Sequence, residues 1–350
     1  MTTLITGGAG FIGTNLARRL LTDGEDVVVF DSLARPGVEA NLAALRDDFG
    51  DGLDVVIGDV RDAPALARAV ARADRVFHFA AQVAVTTSLA DPVEDFDINA
   101  RGTLTLLEAI RGRPEPPPLV FTSTNKVYGA LEDVGLQRRN RRYEPADPGI
   151  GLRGIGESRP LDFYSPYGCS KGAADQYVRD YARTYGLPAI VFRMSCIYGP
   201  HQLGTEDQGW VAHFLIQALD GRPITLYGDG RQVRDILFVD DLVDALLLAQ
   251  RAMPTEAGRV FNIGGGPDNT VSLLELLQLI GDRVGRAPAI GFDAWRPGDQ
   301  RYFVSDTRNF EQVTGWRPAV GVRDGVARLA DWLAGHRPGR SRTRAAGAGR

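Results

Sequence analysis

The stretch Leu4-Ile5-Thr6-Gly7-Gly8-Ala9-Gly10-Phe11-Ile12-Gly13 decides the fold. Its first three residues read as a short buried strand, and apolar residues at helical spacing follow over 15–21. Gly7, Gly10 and Gly13 give G-x-x-G-x-x-G between them. Glycines there allow a tight turn, close backbone approach to a pyrophosphate and close helix packing. The helix N-terminus, with Phe11 and Ile12 in the loop, then receives negative charge. Further on, the apolar run 26–30 ends in Asp31, 18 residues after Gly13. A carboxylate at that point accepts bonds from a ribose hydroxyl. Strand, glycine triplet, helix, strand and acid in this order predict a dinucleotide site. Asp31 would repel a 2′-phosphate and so favours NAD over NADP. Arg35, just past Ser32, could accommodate one.

The alternation continues. A strand at 55–57 precedes Asp59-Val60, which would meet an adenine edge or simply end the strand in a polar turn. Residues 63–73 read as a helix and 76–79 as a strand. Ala80, Ala81 and Gln82 end that strand with small residues that let a cofactor pack on the backbone. A helix over 93–110 carries Asn99, and a strand at 119–121 leads to Thr124. Such alternation predicts an α/β fold: a Rossmann-type doubly wound parallel sheet, with a smaller mixed α/β C-terminal substrate domain. The expected division is 1–193 for the NAD-binding domain, with 235–264 returning to it. Residues 194–234 and 265–336 form the second domain, and 337–350 a disordered tail.

The stretch Ser165-Pro166-Tyr167-Gly168-Cys169-Ser170-Lys171 carries the chemistry. On a helix, Tyr167 and Lys171 leave the same face, one turn apart. A Lys ammonium near a phenol favours the phenolate and pulls its pKa from ~10 toward neutrality. The result is a base for a sugar hydroxyl whose carbon loses hydride. An ordinary wet helix face carries the same spacing. Thr124 would hydrogen-bond the same substrate oxygen, unless it is only a polar turn.

Residues 132–162 are polar and rich in Gly, Pro and Arg, and read as a solvated loop rather than a lid. A helix follows over 166–185, then a strand at 189–192 ending in Arg193. Gln208 and Val211 open a helix to about 219. Gly228-Asp229-Gly230 reads as a hairpin-like turn. Asp240-Asp241 would cap a helix through 248. A late strand at 260–263, a helix at 272–284, a charged loop at 296–301 and a final helix at 322–333 complete the chain.

Composition excludes several classes. At 350 residues with 44% apolar and 24% charged content, the chain suits two coupled globular domains. A net charge of -4 gives no sign of nucleic-acid or membrane binding. The absence of a long apolar run, and of a charged segment before one at the N-terminus, predicts neither membrane span nor secretory signal. Cys169 and Cys196 form no disulfide framework and read as core-filling residues in a reduced, cytoplasmic protein. The four histidines show no metal-ligand spacing, so no metal is expected.

Together, Gly7/Gly10/Gly13, Asp31, Asp59, Thr124, Tyr167/Lys171, Arg234-Asp235 and the 296–301 loop resemble the extended short-chain dehydrogenase/reductase superfamily of nucleotide-sugar epimerases and dehydratases. The resemblance spans residues 1 to about 335. Within that group the chain is most similar to the CDP-paratose 2-epimerase (CDP-tyvelose epimerase) family. The runs Asp31-Ser32-Leu33-Ala34-Arg35-Pro36-Gly37, Gln82-Val83-Ala84-Val85-Thr86-Thr87-Ser88, Ser123-Thr124-Asn125-Lys126-Val127-Tyr128-Gly129, 161–177 and Asp207-Gln208-Gly209-Trp210-Val211 carry it. It implies Tyr167 as acid/base, Lys171 lowering its pKa while holding the nicotinamide ribose, and Thr124 on the reacting hydroxyl. It implies Arg234 and Arg301 on the substrate diphosphate. Asn125, Arg193, Ser195, Gln208 and Val211 would contact substrate, while Gln82 and Asn99 would line the cofactor pocket. Dehydratases of this group carry Asp-Glu where Asn125-Lys126 stand here, so no carboxylate is present for elimination. Met194, Cys196 and Pro200-His201 depart from the pattern near the expected sugar pocket. The implied function is NAD-dependent inversion at C2 of a nucleotide-diphosphate hexose, a CDP-sugar, through a 2-keto sugar, by a homo-oligomer (dimer or tetramer). UDP-sugar 4-epimerisation is the alternative, and a non-catalytic NAD-sensing protein the alternative of another class.

Overall fold

The computed structural model describes residues 1–336. The chain opens with β1 (Thr2–Thr6), α1 (Phe11–Thr22), β2 (Asp26–Asp31), α2 (Val38–Phe49), β3 (Leu53–Ile57), α3 (Ala63–Val70) and β4 (Arg75–His78). Two short helices, α4 (Val85–Ala90) and α5 (Pro92–Phe96), run through a π turn at Asp97–Arg101 into α6 (Gly102–Arg111). Then come β5 (Leu119–Thr124), β6 (Leu136–Arg138), β7 (Tyr143–Pro145), α7 (Pro148–Arg153), α8 (Ser165–Tyr185) and β8 (Ala189–Met194). The remainder is β9 (Cys196–Tyr198), α9 (Trp210–Asp220), β10 (Ile224–Tyr227), β11 (Val233–Phe238), α10 (Val239–Glu256) and β12 (Val260–Ile263). It ends with β13 (Thr270–Ser272), α11 (Leu273–Val284), β14 (Ile290–Asp293), β15 (Tyr302–Phe303), α12 (Arg308–Thr314) and α13 (Val322–Gly335).

Seven parallel strands form the main sheet in the order β12-β8-β5-β4-β1-β2-β3. Side chains alternate across its strands, and both faces are apolar. Ile5, Val27, Val29, Phe77 and Ile190 pack on one face, under α1 and α10. Leu4, Val28, Phe30, Val76 and Phe121 pack on the other, with Leu106 and Val178 above them. The order reverses between β1 and β4, so the loops after these strands part and leave a crevice at their C-terminal ends. A smaller mixed sheet of β13, β11, β15 and β9 lies beside it with the separate parallel pair β10–β14, over its own core of Phe214, Leu226, Ile236 and Leu276. The doubly wound α/β fold with a smaller mixed unit is thus the one expected.

Four local expectations are corrected. Gly228-Asp229-Gly230 closes no hairpin. β10 pairs in parallel with β14, and β11 joins another sheet. Both glycines have positive φ, and a Cβ at Gly228 would lie 2.6 Å from the Trp295 ring, so the turn leads the chain out of plane. Asp240 and Asp241 lie inside the first turn of α10, whose N-cap is Phe238, and the helix continues to Glu256. Asp241 instead accepts from the Val320 N–H at 2.9 Å. The segment 132–162 is not a plain solvated loop. It holds the antiparallel pair β6–β7 and α7, and Arg142 anchors it to both oxygens of Glu275 at 2.8 and 2.6 Å. Cys169 is exposed on α8 rather than core-filling, because its position faces away from the sheet. The expected disordered tail at 337–350 lies outside the described residues. Among the described residues, no helix is long and apolar enough to cross a membrane.

Candidate active site

The glycine loop is tight enough to exclude side chains. A Cβ on Gly7 would lie 2.6 Å from the Ala80 nitrogen, and one on Gly13 would lie 2.3 Å from the Gly7 carbonyl oxygen. Gly7 also has φ of +70°, which favours glycine. The N-cap of α1 is Gly10, with no side-chain cap, so the first-turn amides of Phe11 and Ile12 are left for an anion. The loop is therefore a cradle shaped for a diphosphate. Asp31 stands beside it, its two oxygens accepting from Ala9 and Leu33 N–H groups, each at 2.9 Å. Burial raises its pKa while these bonds oppose the rise. Arg35 donates to the Leu203 carbonyl at 3.0 Å, and Ser32 accepts from the Ala34 N–H. Asp59 is engaged by Arg61, whose guanidinium holds its carboxyl below the usual range, and Val60 is buried against Gly102.

The pocket wall after β4 is set by a residue that sequence reasoning missed. Asp95 is fully buried and gathers Gln82 Nε2 at 2.8 Å, Asn99 Nδ2 at 3.1 Å and Ser170 Oγ at 2.5 Å. The Gln82 and Asn99 side chains thus fix the Ala80–Ala81–Gln82 turn, and Gln82 N–H donates to Asn99 Oδ1 at 2.9 Å. The available signal was Asp95 four residues before Asn99, a polar pair on one helix face.

Thr124, Tyr167 and Lys171 converge at the C-terminal end of β5. Thr124 Oγ1 accepts from Lys126 N–H at 3.2 Å, and Tyr167 N–H donates to Ser88 Oγ at 3.1 Å. Burial pushes the Tyr167 phenol up to about 12; its hydrogen bond with Thr124 pulls down and Asp95 pushes up. Burial thus acts on the phenol against the depression expected from Lys171. Lys171 Nζ is turned to the Thr122 carbonyl at 2.7 Å and sits 4.4 Å above the Phe121 ring. Burial pushes its pKa down to about 8, against Asp175 and Asp95. Desolvation is the largest effect on both groups.

Beyond Thr124 opens a cavity of about 230 Å³, between the main sheet and the smaller unit. Asn125, Lys126, Gln208, Trp210, Tyr227, Arg234, Arg296 and Asp299 are among the residues lining it. Arg234 is buried, and its Nη2 donates to Asp299 Oδ1 at 2.7 Å. Gln208 is among the lining residues, and its side-chain oxygen is buried with no hydrogen-bond partner among the described residues. Asn125 Nδ2 donates to Gln300 Oε1 at 3.3 Å.

Four expected substrate contacts are corrected. Arg193 is buried with Asp175, Nε and Nη2 donating to its two oxygens at 2.8 and 2.9 Å, so it braces β8 against α8. Ser195 Oγ donates to buried Asp235 at 2.5 Å. Val211 is packed in the core of the smaller unit. Arg301 lies over Trp295 and Tyr143, outside the cavity lining, because the loop turns at Gly298. Arg296 takes the lining position instead, 3.8 Å from the Tyr227 ring centre and 3.2 Å from Asp207. Cys196 also lines the cavity, its Sγ accepting from Trp210 Nε1 at 3.3 Å.

Comparison with known proteins agrees with this geometry. A model of the NAD dependent epimerase/dehydratase family matches residues 3–264. The chain is 43% identical over 339 residues to a CDP-paratose 2-epimerase of Salmonella typhi, covering 95% of this chain and 99% of that one. It is 34% identical to a UDP-glucose 4-epimerase of Mycolicibacterium smegmatis, covering 95% and 98%. Among solved structures, the Thermus thermophilus UDP-glucose 4-epimerase in complex with NAD superposes with a TM-score of 0.79 at 34% identity, covering 96% of this chain and all of that one. With its cradle, its acid at the end of β2 and its Tyr–Lys helix, the chain is an enzyme of the NAD dependent epimerase/dehydratase family.

Proposed function

We propose that the chain is a nucleotide-sugar 2-epimerase acting on a CDP-hexose, working in the cytoplasm as a homo-oligomer. The observation that carries the reading is the junction of Thr124 with the cavity. The two residues there are Asn125 and Lys126, neither of them a carboxylate, and the acid nearest them in the lining, Asp299, is held by Arg234 and Lys126 rather than free to promote elimination. Oxidation and re-reduction of one carbinol is the chemistry left to Thr124 and Tyr167. The likeness to the Salmonella enzyme supports C2 as that carbon and cytidine as the base.

The glycine loop, Asp31 and Lys171 would hold NAD. When bound, oxidised NAD supplies a hydride acceptor and donor, and a positive ring charge that favours loss of the Tyr167 proton. Thr124 orients the substrate hydroxyl, and Tyr167 takes its proton and later returns it. Lys171, with a pKa near 8, keeps a cation close to this exchange at neutral pH. Arg234 and Arg296 would face the diphosphate through which the sugar is tethered. The tether must let the keto sugar turn while it prevents escape. Exposed Val93, Phe96, Tyr177 and Tyr185 on α5 and α8 support pairing of two copies through these helices.

A turnover in deuterated water tests the chemistry. Hydride conserved within the site predicts inversion at C2 with no deuterium there, read by proton NMR. Deuterium at C2 would point to proton abstraction beside a ketone, and inversion at C4 would sink the 2-epimerase assignment.

A further inference from the structure

Lys126 brings a positive charge to the reacting end of the cavity. It follows Thr124 by two residues, and its side chain turns inward to line the cavity. Its Nζ donates to the Gly298 carbonyl at 3.2 Å and lies 3.6 Å from Asp299 Oδ1. The same Oδ1 accepts from Arg234 Nη2 at 2.7 Å. Two cations therefore converge on one carboxylate oxygen, and a single negative charge serves both. An ammonium has three donors, and these two partners leave one for a ligand. A more negative group with several acceptor oxygens, such as a phosphate, complements this pair better than one carboxylate does.

We propose that Lys126 extends the Arg234 clamp to Thr124 and holds the sugar-linked phosphate beside the reacting carbon, making it a specificity-determining residue. The inference rests on the assignment of the cavity to a nucleotide-diphosphate sugar. In such a substrate C2 is bonded to the anomeric carbon that carries the phosphate, whereas C4 lies across the ring. A phosphate held two residues from Thr124 brings C2 to the Thr124–Tyr167 pair. A phosphate held only by Arg234 and Arg296 leaves room for the ring to extend and present its far side. Lys126 thus selects the carbon by fixing the distance between phosphate and base. Asp299, on the loop between Gly298 and Gln300, is the anion that yields to the phosphate.

The test compares nucleotide pairs that differ only in the terminal phosphate. CDP with CMP, and UDP with UMP, are titrated calorimetrically into NAD-loaded wild type, Lys126→Gln and Lys126→Arg. Loss of a charge-assisted contact predicts that Lys126→Gln weakens both diphosphates on the order of 10- to 100-fold. Both monophosphates should change less than about twofold, with Lys126→Arg recovering most of the loss. In turnover Lys126→Gln should raise KM for the sugar nucleotide without releasing NAD. Equal weakening of mono- and diphosphates, or unchanged diphosphate affinity, would overturn the proposal and reduce Lys126 to a latch on the Gly298 loop. Preference for UDP over CDP would overturn the base assignment alone, because the phosphate difference is read within each pair. Wild type that binds none of the four would overturn both.

Discussion

Replacing Arg193 by methionine separates a structural brace from a substrate contact. Arg193 and Asp175 are 3% and 0% exposed. The guanidinium meets both carboxylate oxygens, and its Nη1 also donates to the Tyr128 hydroxyl at 3.1 Å. Removing it strands a fully buried carboxylate, at a cost of ~3–5 kcal/mol. An unfolding entropy of ~2.1 cal/mol/K per residue gives about 0.7 kcal/mol/K for a chain of 350 residues. The thermal midpoint should therefore fall by about 4–7 °C. Replacing both partners, Arg193→Met with Asp175→Leu, leaves no stranded carboxylate and should recover most of the loss. The assay is thermal unfolding of the NAD-loaded protein followed by circular dichroism, with KM for the sugar nucleotide measured well below the midpoint. An unchanged midpoint with a greatly raised KM would refute the brace and restore Arg193 to the substrate. Equal midpoints for single and double variants would show that the stranded carboxylate is not the cause.

Tyr167→Phe should lower kcat by about 10²- to 10⁴-fold while bound NAD, measured after protein precipitation, stays at the wild-type level; undiminished turnover would remove the phenol from the chemistry. Gly13→Ala puts a methyl group 2.3 Å from the Gly7 carbonyl oxygen, so the purified protein should carry little NAD or fail to fold. A folded variant with full NAD content would contradict the cradle. His78 and His201 are held neutral, pushed by burial from 6.5 to about 3 and about 4. Below pH ~6.5 the unfolded chain binds more protons than the folded one, so stability falls as pH is lowered toward 4. Thermal midpoints measured from about pH 7.5 to about 4.5 should show this fall. His201→Asn should make it shallower, His78 keeping the rest, and a flat wild-type profile would refute the burial argument.

The sheet was legible because its signals are local. The strand–glycine–helix unit from Leu4 to Gly13 and the apolar runs that follow need no knowledge of distant residues. Tyr167 and Lys171 were legible for the same reason, as one helix fixes their relation. The failures share a different cause. Arg193 reads as an arginine at a strand end, a common place for a ligand contact, and only the third dimension brings Asp175 and Tyr128 to it. Arg301 and Arg296 are five residues apart on one loop, and the Gly298 turn decides which of them faces the cavity. Burial of the Tyr167 phenol was not legible for a further reason. Helical spacing gives the sign of a Lys171 interaction but says nothing of desolvation, which is the largest effect on the phenol here.

The charges of the cavity show why sequence alone undervalued it. A buried cation without a partner is costly, so a site for a diphosphate must neutralise its own arginines before substrate arrives. Here Asp299 serves Arg234 and Lys126, and Asp207 serves Arg296. Asp299 and Asp207 are 22% and 47% exposed, whereas Arg234 is 8% exposed. Asp299 thus stands closer to water than Arg234, and Asp207 closer than Arg296, which is 25% exposed. A carboxylate that can return to water gives way to phosphate at small cost, since one charge-assisted contact replaces another. Substrate affinity then comes from the excess of donors over the single carboxylate, and the residue that creates this excess beside Thr124 is Lys126. Asp299 lies 65 positions from Arg234 and 173 from Lys126 in the chain, so no local pattern joins the three. The fold brings them together by setting the 296–301 loop across the C-terminal end of β5, the edge that also presents Thr124 to Tyr167.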